Sequence, residues 1–232
     1  MGFILQLQIL TIMPKIEPFE KYASKYEDWF VKHRFAYESE LRAIKAQLPE
    51  SENSISIEIG VGSGRFAAPL GIALGVEPSS KMRALARTRG IDVIGAVAEA
   101  LPFGNSSFDL ALMVTTICFV DDLRTAFKEV YRILKPDGCL VIGFIDRDSP
   151  VGRLYERHKE ESVFYRVARF YTTEAVISIL EKTGFKDFSF CQTIFHDLAE
   201  INEVESVKAG YGEGSFVVVK AKKFKDETPS NV

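Results

Sequence analysis

The sequence predicts a doubly wound α/β fold, in which helices cover both faces of a mostly parallel sheet. Short apolar segments alternate with segments of helical periodicity across residues 55–145, which is the pattern of such a sheet. The first apolar segment, 55–59, alternates apolar and polar residues as a half-buried strand does. Gly60, Gly62 and Gly64 follow it directly. Glycines at such a turn let a ligand approach the backbone closely, so a nucleotide-like ligand is predicted there.

The elements of this core can be placed in order along the chain. Strands are expected near 55–60, 72–77, 91–95, 108–114 and 138–145, and helices near 65–70, 80–89 and 122–135. The last helix has the clearest pattern, because its apolar residues share one face. Asp121 or Asp122 is expected to cap its start, and the segment 136–138, Pro-Asp-Gly, to end it.

Segments on both sides of the core complete one predicted domain. The predicted segments are an N-terminal extension 1–14, a helical arm 15–50, the core 51–146, an insertion 147–171, a helix with two strands 172–224, and a tail 225–232. The insertion interleaves basic and aromatic residues, a pattern also found where proteins contact nucleic acid. Glu156, Glu160 and Glu161 offset much of its charge, which favours a solvated amphipathic segment.

Composition and charge exclude several functional classes. The net charge is −3 in 232 residues, so no overall basic field predicts a nucleic-acid partner. The apolar run 3–10 is too short to span a bilayer, and no membrane partner is expected. Cys118, Cys139 and Cys191 are scattered without a C-x-x-C pair, which predicts neither a zinc site nor a disulfide framework. This cysteine usage fits a reducing cytoplasm.

The spacing of glycines and acids indicates which ligand the turn accepts. The dinucleotide fingerprint needs a third glycine where this chain has Arg65, and an acid about 20 residues further on. Glu77 stands only about 13 residues beyond Gly64, short of that spacing. Glu58 lies inside the strand, where a carboxylate is costly without a positive or hydrogen-bonding partner. The pattern therefore favours a ligand that carries an ammonium group over one that presents only a pyrophosphate.

Five segments in this order resemble the class I S-adenosylmethionine-dependent methyltransferases, in particular their type 11 small-molecule group. The matching segments are 58–64 (EIGVGSG), 75–82 (GVEPSSKM), 98–103 (AEALPF), 107–110 (SFDL) and 130–138 (VYRILKPDG). The resemblance implies a Rossmann-like, mostly parallel seven-stranded sheet whose last strand is antiparallel. It also implies S-adenosyl-L-methionine as cofactor and a small molecule as methyl acceptor, with the arm lying over the cofactor cleft and the insertion 147–171 serving as a substrate lid. The segment 195–213 is long for a hairpin loop and is expected to be a second part of that lid.

The resemblance also assigns roles to individual residues. Those implied to bind the cofactor are Glu58, Gly60, Val61, Gly62, Gly64, Glu77, Pro78, Met82, Ala98, Glu99 and Thr115. Those expected to line the substrate site are Tyr22, Tyr26, Thr116, Cys118 and His158. One position departs from the family, because Val97 stands where relatives have an acid for the adenine amino group. Adenine recognition is then expected to use the backbone around Ala98 and apolar stacking, with Met82 a candidate.

No catalytic base can be assigned from the sequence. His33, His158 and His196 have no metal-ligand spacing, so no metal is predicted, and His158 in the lid is the first choice among them. Cys118 is expected to be a buried apolar residue rather than a nucleophile. The leading function is methyl transfer to a small molecule. The alternatives left open are a nicotinamide-dependent oxidoreductase, a related cofactor-binding enzyme such as an aminopropyl transferase, and a non-catalytic or regulatory module.

Overall fold

One mixed sheet organises the protein, whose computed structural model describes residues 15–49 and 54–224. The strands are β1 (Ser56–Ile59), β2 (Leu74–Val76), β3 (Asp92–Ile94), β4 (Phe108–Val114), β5 (Leu134–Ile145), β6 (Phe185–Thr193), β7 (Lys208–Ala209) and β8 (Phe216–Lys223). Their order is β3-β2-β1-β4-β5-β8-β6-β7. The first five are parallel, whereas β8 is inserted antiparallel between β5 and β6. The predicted fold class is thus confirmed, with the two-residue edge strand β7 as an eighth member.

Seven α-helices surround this sheet in the described part of the chain. They are α1 (Glu17–Lys21), α2 (Ala23–Lys32), α3 (Arg34–Gln47), α4 (Ser80–Thr88), α5 (Leu123–Ile133), α6 (Pro150–Arg157) and α7 (Thr173–Lys182). The cap expected on α5 is Asp122, whose carboxylate accepts hydrogen bonds from the backbone N–H groups of Arg124 and Thr125. The end expected at 136–138 is wrong, because α5 ends at Ile133 and Leu134 already pairs with Phe108 on β4.

The helix expected over 65–70 is also wrong. That segment forms turns and one short 3₁₀ helix, Ala68–Leu70. Gly64 and Gly71 bound it with φ of +83° and +73°, which interrupt right-handed helical geometry on both sides. Pro69 lies within it and has no backbone N–H to donate. The chain therefore returns to β2 through turns rather than through an α-helix.

The predicted helical arm consists of α1, α2 and α3, which are separated at Tyr22 and His33. Helix α3 packs on the sheet, with Ala36, Ala43 and Ile44 in one core cluster with Val218 of β8. Helices α1 and α2 extend over the carboxyl ends of the parallel strands, since Tyr26 of α2 lies beside Gly62. The arm thus covers the glycine turn.

The insertion 147–171 contains α6 and two 3₁₀ turns, Lys159–Glu161 and Tyr165–Val167. Its chain rejoins the core at Tyr171, whose carbonyl accepts a hydrogen bond from the Arg147 N–H. The predicted extension 1–14 and tail 225–232 lie outside the described residues. Within the described ranges, no helix combines the length and apolar character needed to cross a membrane.

Candidate active site

The turn after β1 has the geometry of a ligand-binding loop. Gly60 and Gly62 adopt φ of +72° and +54°, which side-chain-bearing residues rarely do. A Cβ atom on Gly60 would stand 2.3 Å from the Thr116 side chain, so this position excludes any larger residue. A Cβ atom on Gly62 would stand 3.2 Å from the Tyr26 hydroxyl. The turn is therefore enclosed by the segment after β4 on one side and by the arm on the other.

Glu77, at the end of β2, faces this turn. One carboxylate oxygen accepts the Gly62 N–H at 3.0 Å, and the other accepts the Ser79 N–H at 2.8 Å. Each oxygen keeps a further lone pair for a ligand hydroxyl. Burial raises the pKa of Glu77 to about 7, although the two N–H groups partly offset that effect. A carboxyl group held in this way suits a vicinal diol, which offers one hydroxyl to each oxygen.

These groups border a cavity of about 100 Å³, here called the glycine-turn cavity. Of the residues predicted to bind cofactor or substrate, it is lined by Tyr26, Gly60, Gly62, Glu77, Pro78, Ala98, Glu99, Thr115 and Thr116. Residues contributed by the arm and by the loop after β4 include Lys15, Phe19, Phe119 and Asp121. The structure thus brings most of the predicted cofactor residues to one place.

Four predicted cofactor residues do not line the glycine-turn cavity. Met82 is fully buried, because Ser79 caps α4 and turns Met82 into the core; it offers no surface for an adenine to stack on. Val61 packs against Gly75, where a Cβ atom would meet it at 2.6 Å. Gly64 lies against Ala86 and Ile91 of the α4 region. These residues let the turn pack on the core behind it.

Glu58, the fourth of these, is enclosed in the core at 1% exposure. Its Oε2 atom is buried without a hydrogen-bond partner among the described residues. Burial holds the pKa of Glu58 well above its ordinary value, and the neighbouring Glu77 raises it further. The unpartnered oxygen lacks a hydrogen-bond donor, and an ammonium group is one such donor, as the sequence predicts.

The cavity wall expected to contact an adenine ring is apolar at position 97, where relatives have an acid. Val97 lines the cavity together with Ala96 and Ala98. Glu99 is occupied structurally, because its Oε1 accepts the N–H groups of Asp121 and Asp122 before α5. Asp121 lines the cavity as well, with its carboxylate 3.7 Å from the Lys15 ammonium group. Asp121 is thus an acid at this wall that sequence reasoning considered only as a helix cap.

A second and larger cavity, of about 320 Å³, lies beside the first and is here called the aromatic cavity. Its volume falls in the range of about 300–1,000 Å³ typical of small-molecule sites. The rings that line it are Phe19, Tyr26, Trp29, Phe30, Phe66, Phe119, Phe144, Tyr155, Phe164, Tyr165, Phe170 and Tyr171. The polar side chains that line it include Glu40, Cys118 and His33.

Four residues line both cavities and are here called the partition: Phe19, Tyr26, Thr115 and Phe119. The rings of Phe19 and Phe119 meet edge to face with centroids 5.0 Å apart, and Phe19 contacts Tyr26 in the same way at 5.9 Å. Thr115 adopts φ of +48°, a strained conformation for a β-branched residue. The two cavities therefore adjoin at a partition built from the arm and the carboxyl end of β4.

Some of the residues predicted to line the substrate site border the aromatic cavity, and others lie away from it. Tyr26 and Cys118 line the aromatic cavity, and so do Phe164 and Tyr165 of the insertion that was predicted to be a lid. Tyr22 lies outside, because it is the exposed junction between α1 and α2. His158 is also outside, because it caps the end of α6 and its Nδ1 lies 3.1 Å from the Leu154 carbonyl oxygen.

Helix α3 supplies a residue that the sequence interpretation missed. Glu40 is 3% exposed and lines the aromatic cavity. It follows Ala36 by four residues and precedes Ile44 by four, so it falls on the buried stripe of α3. An acid within an apolar helical stripe was the available signal.

A charged cluster holds the arm on the glycine turn. Glu27 of α2 pairs with Arg65 and Arg89, and Arg89 also donates to the Ser63 carbonyl at 2.8 Å. The glycine-turn cavity beneath is smaller than the lower limit of about 300 Å³ usual for small-molecule sites. We therefore expect the arm to move outward when a nucleoside-sized ligand enters or leaves.

Glu27→Gln is accordingly expected to speed the release of S-adenosylhomocysteine. Loss of the two ion pairs weakens the closed arm by roughly 1 kcal/mol, about fivefold in dissociation rate. Stopped-flow displacement measures that rate. Glu17→Gln is the matched control, because Glu17 forms a single ion pair among the described residues, with Lys21 on the surface of α1. Equal dissociation rates for Glu27→Gln and wild type would show that the cluster does not restrain the arm.

Comparison with known proteins agrees with this geometry. A family model described as a methyltransferase domain matches residues 57–142. A crystal structure of a SAM-dependent methyltransferase from Thermotoga maritima, described as a possible histamine N-methyltransferase, is 53% identical with a TM-score of 0.87, covering 90% of this chain and 99% of that one. An uncharacterized protein of Methanocaldococcus jannaschii is 43% identical over 88% of this chain and 98% of its own length. A demethylmenaquinone methyltransferase of Chlorobaculum tepidum is 27% identical over 65% of this chain and 73% of its own.

The chain belongs to the class I S-adenosylmethionine-dependent methyltransferases. The residues present fit the cofactor of that family on three observations. Gly60 and Gly62 leave a cradle that a Cβ atom would fill, Glu77 presents two oxygens with free lone pairs, and Glu58 holds an unpartnered buried oxygen near the turn. Glu77 would hold the ribose hydroxyls of the cofactor, and Gly60 and Gly62 would let the part next to the ribose lie against the backbone. Val97 and Ala98 would lie beside the adenine base.

Proposed function

We propose that the protein transfers the methyl group of S-adenosyl-L-methionine to a small molecule bound in the aromatic cavity. The observation that carries this proposal is the partition, where the glycine-turn cavity and the aromatic cavity meet. Displacement at a methyl group requires an acceptor atom in line with the bond that breaks, so donor and acceptor sites must adjoin. The description of the Thermotoga maritima relative as a possible histamine N-methyltransferase supports a small-molecule acceptor.

S-adenosylmethionine, when bound, supplies an activated methyl group on a sulfonium centre. The chain's own contribution is position and exclusion of water. Glu77 and the turn at Gly60 and Gly62 fix one end of the site, while Phe19 and Phe119 line both cavities where they adjoin. Enclosure by rings also keeps the reacting atoms away from solvent, which strengthens every charge interaction there.

No thiol chemistry is supported at this site. Cys118 lines the aromatic cavity, and burial raises the pKa of its thiol to about 12. The thiol therefore stays protonated at neutral pH and is a poor nucleophile and a poor base.

The nicotinamide alternative loses its support as well, because Arg65 holds the place of the third glycine and is tied to Glu27. Only a measurement of turnover distinguishes the proposed enzyme from a non-catalytic module.

Filling the aromatic cavity tests this proposal. We expect Cys118→Trp to reduce methyl transfer at least about 100-fold, because the indole displaces the acceptor from its position in line with the donor. Binding of S-adenosylhomocysteine, measured by calorimetry, should change less than about twofold, since Cys118 does not line the glycine-turn cavity. Val31→Trp adds the same bulk at an exposed position of α2 and serves as the control.

The assay follows label from methyl-labelled S-adenosylmethionine into a panel of small arylalkyl amines, phenols and thiols and into a small-molecule cell extract. The proposal predicts label in acid-soluble small molecules with wild type and Val31→Trp, and its loss with Cys118→Trp. S-adenosylhomocysteine binding with no labelled small molecule would favour the non-catalytic module. Label confined to macromolecules would contradict the small-molecule acceptor.

A further inference from the structure

The aromatic cavity contains one acidic side chain, Glu40, in surroundings that are otherwise mainly rings. It projects from the buried stripe of α3 and is 3% exposed, yet it lines the cavity. A carboxyl group at such a position costs stability unless it gains a partner. The position also lies beside the core cluster to which Ala36, Ala43 and Ile44 of the same helix belong. A fully apolar residue would fit the stripe better.

Glu40 has no partner within the described chain. Within the described residues, 15–49 and 54–224, no hydrogen bond or salt bridge involves the Glu40 carboxyl group. Lys25 and His33 also line the cavity, but neither forms an ion pair with it. Burial alone raises the pKa of Glu40 to about 8, with no neighbouring cation to oppose the rise. The cavity therefore holds an uncompensated acid that a ligand can satisfy.

Aromatic rings line the cavity near this acid. Tyr155 and Tyr165 pack against each other with centroids 4.3 Å apart and 31° between their planes, and Phe170 meets Tyr165 edge to face at 5.5 Å. Glu40 is close enough to Tyr155 and Tyr165 to help raise the pKa of both phenols, after the larger effect of burial. Aromatic faces attract ammonium groups, and most strongly where water is excluded. Acid and rings thus favour the same class of ligand.

We propose that the aromatic cavity recognises a positively charged amine with a planar apolar body, and that Glu40 pairs with its ammonium group. The cluster of Tyr155, Tyr165 and Phe170 borders the charge on one side, and the partition rings contact the apolar body. That this amine is the methyl acceptor rests on the proposed function; that the cavity binds it does not. Glu40 is therefore the residue that selects an amine over a neutral molecule of the same shape.

Two probes of equal shape test this selection in the full-length protein. Calorimetry compares 2-phenylethylammonium with 2-phenylethanol, with and without saturating S-adenosylhomocysteine. The ammonium probe is expected to bind wild type at least about tenfold more tightly, because a charge-assisted pair contributes more than a neutral hydrogen bond. Glu40→Gln should weaken the ammonium probe about 10- to 100-fold and leave the alcohol within about twofold.

Glu38→Gln is the matched control, since Glu38 lies on the exposed side of α3. Its binding of both probes should equal that of wild type. A thermal melt confirms that Glu40→Gln is folded, and if it is not, the comparison of the two probes on wild type alone decides. Equal affinity for ammonium and alcohol, or undiminished ammonium binding by folded Glu40→Gln, would overturn the inference.

Failure of the amine site and failure of the proposed function give different results. A protein that binds S-adenosylhomocysteine but does not discriminate between the probes lacks the amine site and retains the cofactor site. A protein that selects the ammonium probe through Glu40 but does not bind S-adenosylhomocysteine has the amine site, and the proposed function is then wrong.

Discussion

Gly62→Arg is expected to abolish binding of S-adenosylhomocysteine while the protein remains folded. Gly62 has φ of +54°, and its missing Cβ atom points at the Tyr26 hydroxyl only 3.2 Å away. An arginine there occupies the glycine-turn cavity and pushes on the arm that covers it. Its left-handed backbone costs about 1–2 kcal/mol of stability, which a domain with about 5–15 kcal/mol tolerates. Calorimetry should show at least about 100-fold weaker binding.

Gly71→Arg separates this steric effect from backbone strain. Gly71 has φ of +73°, and a Cβ atom there would meet nothing within 4 Å. The control carries the same type of strain and the same added charge on the exposed side of the turn before β2. It should bind S-adenosylhomocysteine as wild type does. Normal affinity in Gly62→Arg would remove the glycine turn from the cofactor site.

Glu77→Ala is expected to weaken S-adenosylmethionine and S-adenosylhomocysteine equally, by about 10- to 100-fold, because two hydroxyl hydrogen bonds to a buried carboxylate are lost. The methyl group is remote from the ribose, which is why the two ligands should respond alike. Asp92→Ala removes an exposed carboxylate from the neighbouring β3 and is the control. An unchanged dissociation constant for both ligands would exclude Glu77 from the site.

The affinity of wild type should also depend on pH through Glu77. Burial raises its pKa to about 7, so the free protein holds mostly the neutral acid at pH 6 and mostly the carboxylate at pH 8. Ligand hydroxyls donate to the carboxylate, and the competent fraction therefore increases as pH rises. Affinity should grow about tenfold between pH 6 and pH 8. Glu77→Ala should lose this dependence, and a dependence of equal size in the variant would assign it to another group.

The sheet and the glycine turn were predictable because their determinants are local. The first strand shows alternating apolar residues, and the closely spaced glycines and the acid at the end of β2 follow it within about 25 residues. Patterns over such short distances can be recognised from sequence alone. Helix-to-strand boundaries were less accurate. The segment 65–70 was predicted helical, but positive φ at Gly64 and Gly71 and the proline between them prevent it.

The site was predicted less completely because side-chain direction depends on tertiary packing. Met82 follows the glycine turn in a matching motif, yet the phase of α4 directs it into the core. His158 lies in the insertion that does reach the aromatic cavity, but the end of α6 leaves it outside. The aromatic cavity itself joins the arm, the segment after β4, the end of β5, the insertion and Leu198, which are far apart in sequence. No local pattern brings such residues together, although the place of Glu40 within the buried stripe of α3 was a local signal that the residue is unusual.

A thermal-shift titration tests whether the protein binds S-adenosylmethionine, the ligand proposed for the glycine-turn cavity. Purified protein is titrated with S-adenosylmethionine, S-adenosylhomocysteine, NAD and NADP. A ligand at about 100 times its dissociation constant stabilises a fold by roughly 2.7 kcal/mol. For a chain of this size the melting temperature then rises by about 5–10 °C. We expect that rise with the first two ligands and none with the nicotinamide cofactors. A rise with NAD or NADP alone would contradict this expectation.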